Sequence, residues 1–67
     1  MNYTIEAELE DDGRWLAEVP QLPGVLTYDT TREEAMSRAQ VLALRVIAEH
    51  LEHGEASAQR INISIPA

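Results

Sequence analysis

Two short alternating runs hinged at a glycine constrain this chain more than any other feature. Residues 2 to 10 read NYTIEAELE, so Tyr3, Ile5, Ala7 and Leu9 point one way and Thr4, Glu6, Glu8 and Glu10 the other. That period of two marks a strand with one dry and one wet face. Asp11-Asp12-Gly13 follows, a turn in which Gly13 supplies the positive φ that a tight hairpin needs. Residues 14 to 19, RWLAEV, form the second strand, with Trp15, Ala17 and Val19 on one face and Arg14, Leu16 and Glu18 on the other. The pair predicts an antiparallel hairpin.

Pro20-Gln21-Leu22-Pro23-Gly24 breaks the sheet, because each proline removes a ladder donor and Gly24 permits a turn that bulkier residues resist. Leu22, set between the prolines, is expected to fold back onto the core as a plug. Val25 to Tyr28 is β-prone and predicts a third strand. Thr31 with Glu34 three residues on is a capping box, in which each side chain satisfies an orphan amide of a helix start. Asp29, Glu33 and Glu34 also sit where the positive end of the helix dipole favours acids. The helix is predicted from Arg32 to about Glu52, with Gly54 ending it. After a polar linker, Arg60 to Ile65 alternate again, with Ile61, Ile63 and Ile65 on one side and Pro66 closing the run. The expected class is α+β in the order β-β-β-α-β, an antiparallel sheet packed on one main helix, as a single domain over residues 1–67.

At about 100° per residue, Ala35, Ala39, Leu42, Ala43 and Val46 form one helix stripe, with Met36 and Ile47 at its flank. A second apolar group, Val41, Leu44, Ala48 and Leu51, faces largely away from it. A surface helix on a small sheet ordinarily shows one buried face and one broad polar face. The extra patch predicts a second neighbour, and in a chain this short that neighbour is most simply another copy.

The chain has 67 residues, which admits one domain with a stability of roughly 3–10 kcal/mol. It has no cysteine, so neither a disulfide framework nor a cysteine zinc site is available, and a reducing cytoplasm is the expected location. No apolar run approaches a membrane span, and the strand pattern begins too early for a signal peptide to be expected. Twelve acids against five bases, all arginine, give a net charge of −7. Such a surface offers no basic stripe for phosphates, so direct nucleic-acid binding is not expected; it steers towards basic partners, although on charge alone keeping a small protein soluble is the preferred reading.

Candidate chemistry is sparse. Glu6, Glu8 and Glu10 share a strand face, with Asp29 and Glu33 as possible companions for a two-metal site. Same-face neighbours on a strand are roughly 7 Å apart, which makes a row rather than a cluster. A solvated polar face is the preferred reading. His50 and His53 stand three apart near a helix end, where they complement the dipole more naturally than they ligate zinc. There is no nucleophile elbow or phosphate-cradling glycine loop, so neither an enzyme nor a cofactor or metal is expected. Trp15 reads as a core anchor under the helix. Leu16, alone among charged neighbours on the wet face, reads as a candidate for partner contact.

The order Asp12-Gly13, Trp15, then Val19-Pro20-Gln21-Leu22-Pro23-Gly24-Val25, then Thr31 with Glu33-Glu34-Ala35, resembles the HicB-like antitoxin family. The similarity runs from Tyr3 to about Leu51. It departs at Asp29 and Thr30, where that family usually has Gly and Asp, and the 67 residues hold no counterpart of the family's common C-terminal DNA-binding module. The resemblance implies a truncated ribonuclease H-like fold and a role in binding and blocking a small basic RNA-cleaving toxin of the HicA type. Toxin contact would fall on Glu6, Glu8, Leu16 and Glu18 and on the loop residues Pro20, Leu22 and Pro23. Self-association would use Val41, Leu44, Ala48 and Leu51, or a strand edge. The alternative is a non-catalytic oligomeric scaffold or regulatory module for another partner.

Overall fold

The computed structural model describes residues 1–54 and 58–65. In chain order the elements are β1 (Asn2–Thr4), β2 (Glu6–Leu9), β3 (Trp15–Glu18), β4 (Leu26–Asp29), α1 (Arg32–Glu52) and β5 (Asn62–Ser64). β2, β3 and β4 form a three-stranded antiparallel sheet in that order, and α1 lies on one face of it. The expected α+β class and helix-on-sheet packing are therefore present.

The hairpin closes as its residues dictate. Glu10 N–H donates to Arg14 C=O at 2.8 Å and Gly13 N–H to Glu10 C=O at 3.0 Å, with Gly13 at φ +87°. Asp12 fixes the far side, accepting from the Arg14 backbone N–H at 3.0 Å and from Arg14 Nε at 2.7 Å. Those donors, the backbone N–H first, hold the Asp12 carboxyl below its usual range. The break at Pro20–Gly24 is two successive turns. Leu22 N–H donates to Val19 C=O, and Val25 N–H to Leu22 C=O, with Pro23 and then Gly24 at φ +85° between them. Proline followed by a positive-φ glycine is the signature of a type II turn. The double turn swings Leu22 inward to 5 % exposure, as the plug reading anticipated.

Two expectations need correction. The first run is not one strand: it is interrupted at Ile5, giving β1 and β2. Nor does the last strand join the antiparallel sheet: β5 forms a separate two-stranded parallel sheet with β1, pairing Tyr3 with Ile63. The hydrogen bonds explain both. Glu10 bonds towards β3, whereas Ile5 N–H donates to Ser64 C=O at 3.0 Å and Met1 C=O accepts from Asn62 N–H at 2.9 Å. Even residues of the run thus serve β3 and odd residues serve β5, on opposite edges, and the run bends where one partner replaces the other. The return direction follows from the helix, which carries the chain back across the sheet. Pro66, read as closing the last strand, lies outside the described residues.

The helix matches its sequence limits. Thr31 is the N-cap and its Oγ1 accepts from Glu34 N–H at 3.2 Å; His53 and Gly54 N–H close the far end onto Glu49 and Leu51 carbonyls. Its buried line is Ala35, Met36, Ala39, Ala43 and Ile47, with Leu42 and Val46 only partly covered. The contact stripe is therefore rotated towards Met36 and Ile47 relative to the wheel-derived one. Tyr3, Ile5, Ala17, Val19, Leu22 and Val25 complete the core, with Trp15 packed partly buried against it. Leu9 shares the helix-side face but lies two strands from the helix start beside Asp29, and remains 56 % exposed.

Ile5 and Val19 are the largest fully enclosed side chains. Truncating Ile5→Ala is expected to remove about 2–5 kcal/mol, most of the stability of a chain this size. Thr31→Ala should remove only about 1 kcal/mol. Urea unfolding followed by circular dichroism checks both, and equal effects would contradict the packing described.

Candidate functional site

The face of the sheet opposite α1 is open, and its composition follows from register. Glu6 stands opposite Glu18, and Glu18 opposite Leu26. Glu8 stands opposite Leu16, and Leu16 opposite Tyr28. Two rows therefore cross the sheet, each acidic at the β2 side and apolar at the β4 side. Leu26 and Tyr28 are 45 % and 39 % exposed. Arg14 caps the apolar end, its guanidinium carbon 4.5 Å from the Tyr28 ring centroid, a cation–π distance.

Glu6 and Glu18 are the informative pair. Like charges directly opposite on neighbouring strands are destabilising. Nothing in the backbone demands acids there, since one face of an antiparallel pair accepts any β-former. Glu8 extends the same negative field along β2. The face thus sets a row of carboxylates beside apolar side chains.

The sequence-derived candidates are brought together in part. Glu6, Glu8, Leu16 and Glu18 share a shallow concavity on this face. Pro20 and Pro23 are exposed in the loop that joins β3 to β4. Leu22 is buried, so its role is to hold that loop rather than to touch a partner. Leu26 and Tyr28 were missed as contributors; their signal was the spacing from Val19 to Val25, which puts them in phase with Glu18 and Leu16, whereas alternation alone sets Arg14 on this face. Val41, Leu44, Ala48 and Leu51 are all exposed on α1, as the second-patch reading requires.

The proposed companions of the glutamate row do not join it. Asp29 pairs with Trp15 on the helix-side face, away from Glu6 and Glu8. Among the described residues no group of three or more His, Asp or Glu side chains is placed to hold a metal. Asp29 instead meets the start of α1. Its Oδ1 accepts from Thr30 N–H at 2.7 Å, and its Oδ2 lies 3.4 Å from Arg38 Nε. The Thr30 amide, with a hydrogen bond from Glu34, holds the Asp29 carboxyl below its usual range, while Asp29 pushes Glu34 up. One proton and two carboxylates compete at a helix N-terminus.

Comparison of the chain with protein-family models, with curated proteins and with solved structures gave no match. Among the described residues, no helix is long and apolar enough to cross a membrane.

The carboxyl pair makes a pH prediction with opposed signs. Asp29, depressed, contributes stability present above its unfolded value and lost as pH falls through the folded one. Glu34, raised, contributes stability at low pH that is lost as pH rises through its folded value. At neutral pH the ionised Glu34 therefore lacks the hydrogen bond that its protonated form gives Asp29, and repels that carboxylate. Glu34→Gln keeps a hydrogen-bond donor for Asp29 and removes that charge, so it should raise the melting temperature at neutral pH. The gain should vanish as pH falls through the carboxylate range; thermal melts across that range test it, and a pH-independent difference contradicts it.

Proposed function

We propose that this chain is a non-catalytic docking module of the HicB-like antitoxin kind, which neutralises a small basic HicA-type RNA-cleaving toxin by occlusion. The observation that carries the proposal is the unrelieved Glu6–Glu18 pair with Glu8 beside it and Leu16, Leu26 and Tyr28 adjoining. A lysine- and arginine-rich surface laid across this face would relieve the repulsion and bury the apolar end. Such a surface is also what a ribonuclease uses to grip phosphates, so covering it blocks the RNA. The net charge of −7 extends the attraction beyond contact and quickens encounter. The HicB-like order of residues from Tyr3 to Leu51, and the helix-on-sheet arrangement, support the same reading, and cytoplasmic residence goes with it.

The second reading, an oligomeric scaffold or regulatory module, is favoured by a different observation. Val41 and Leu44 on α1 are each 49 % exposed, in line with exposed Ala48 and Leu51. A scaffold would use that helix patch and leave the acidic sheet face unoccupied.

The two separate in one experiment. The chain is co-expressed with the product of the neighbouring reading frame, which the proposal expects to be small and rich in lysine and arginine, and capture and growth rescue are measured. Glu18→Lys converts the like-charged Glu6–Glu18 pair into an opposite-charged one, so the free protein should melt no lower than wild type. Capture should weaken at least about tenfold and rescue should fail. Wild-type capture by this variant, or the absence of capture by the wild type, overturns the docking proposal.

A further inference from the structure

We infer that two copies of this chain join edge to edge through β4, forming one continuous sheet about a twofold axis at Thr27. The inference does not rest on the toxin reading. It begins with the ladder arithmetic. Glu8–Leu16 and Glu6–Glu18 are the pairs that bond β3 to β2, in step with the Glu10–Arg14 closure. The odd residues of β3 therefore serve β4, as Val19 N–H donating to Val25 C=O at 3.0 Å confirms. On β4 this turns Thr27 and Asp29 towards β3 and leaves the backbone groups of Leu26 and Tyr28 facing outward. Among the described residues β4 pairs with β3 alone. Leu26 N–H has a local acceptor, Gly24 C=O at 3.2 Å, but Leu26 C=O and both Tyr28 groups face outward from the sheet.

The edge is complementary to itself. Antiparallel pairing centred on Thr27 sets Leu26 of each copy opposite Tyr28 of the other. Each Tyr28 N–H then donates to a Leu26 C=O across the axis. On the open face the rows become Glu8, Leu16, Tyr28 and then Leu26, Glu18, Glu6 of the second copy. The apolar ends merge at the centre and the glutamates lie at the two rims.

Three further features favour a second copy on this edge. Edges that stay single are usually guarded by charge or proline. The β2 edge carries Glu6, Glu8 and Glu10, whereas β4 has its one charge at its last residue, Asp29, which is tied back to Thr30 N–H and Arg38. The charge distribution agrees: three of the five arginines, Arg14, Arg38 and Arg45, stand beside β4, over Tyr28 or lining the groove between its edge and α1. Two chains of net charge −7 would thus meet at an edge flanked by arginines, with Asp29, Glu33 and Glu34 at its far end and their glutamate rows as far apart as the sheet allows. Finally, Val41 borders that groove with Leu42, so a paired edge brings apolar helix side chains of both copies over the Thr27 axis. Leu44 and Leu51 lie further round the helix, away from the groove.

Sedimentation of the wild-type chain at high micromolar concentration should show a dimer. Leu26→Lys with Tyr28→Lys adds charge at exposed positions and should weaken dimerisation at least about tenfold without changing the circular dichroism spectrum. A covalent readout covers the case in which that variant misfolds. The chain has no cysteine, and facing non-hydrogen-bonded residues sit about 4.5 Å apart at Cα, within disulfide reach. Thr27→Cys should therefore yield a disulfide-linked dimer under oxidised glutathione, while Leu44→Cys should not. A monomeric wild type overturns the inference. So does a dimer that Leu44→Glu dissolves while Thr27→Cys fails to cross-link, which would place the second copy on the helix patch instead.

Discussion

The structure depends on how closely α1 can approach the sheet, and alanine sets that distance. Ala35, Ala39 and Ala43 recur one helical turn apart and are wholly enclosed, as is Ala17 on β3 beneath them. A methyl group facing a methyl group lets the two backbones come near, so a thin layer suffices to exclude water. The larger side chains then work at the flanks: Ile5, Val19, Leu22 and Val25 from the sheet side, Met36 and Ile47 from the helix. With so few bulky residues the chain could not have filled a wider gap.

That economy decides where function can reside. One helix covers most of one face of the three-stranded sheet, leaving Leu9 at its margin, and Ala35, Ala39 and Ala43 permit its approach. The other face receives nothing from the same chain among the described residues, so its side chains answer to another requirement. Carboxylates placed opposite one another there oppose folding, while Leu16, Leu26 and Tyr28 beside them would ordinarily be covered. The face is therefore divided, acidic along β2 and apolar along β4, and under the proposed function it is the side that meets the partner. The loop from Pro20 to Gly24 stands at its border, fixed from beneath by Leu22.

Much of this was legible in local sequence, because local chemistry specified it. Thr31, Glu34 and Gly54 gave the helix limits at both ends, since caps are short-range devices. Asp12-Gly13 gave the hairpin, and alternation correctly put Glu6, Glu8, Leu16 and Glu18 on one face. What escaped was non-local. The interruption at Ile5 arises because the run changes partner there, from β5 on one edge to β3 on the other, which no local pattern records. The parallel direction of β5 depends on the path of the whole chain. Leu22 was read both as a plug and as a contact, and only its burial separates the two. Leu26 and Tyr28 needed the β3–β4 register before their company with Leu16 could be seen, and the Asp29–Glu34 competition needed the helix start brought against the strand end.

The pairing of Tyr3 with Ile63 joins positions sixty residues apart. Everything else in the fold is held by neighbours closer along the chain, so the hairpin, the double turn and the helix can assemble while synthesis proceeds. Residues 62–64 leave the ribosome after all the elements they help to fasten. Until they arrive, β1 lacks its parallel partner, and closing a loop of sixty residues carries the largest chain-entropy cost among these strand pairings. The segment thus acts as a latch on β1: with residues 62–64 displaced, the helix, the double turn and the hairpin would keep their own contacts while the first strand came loose.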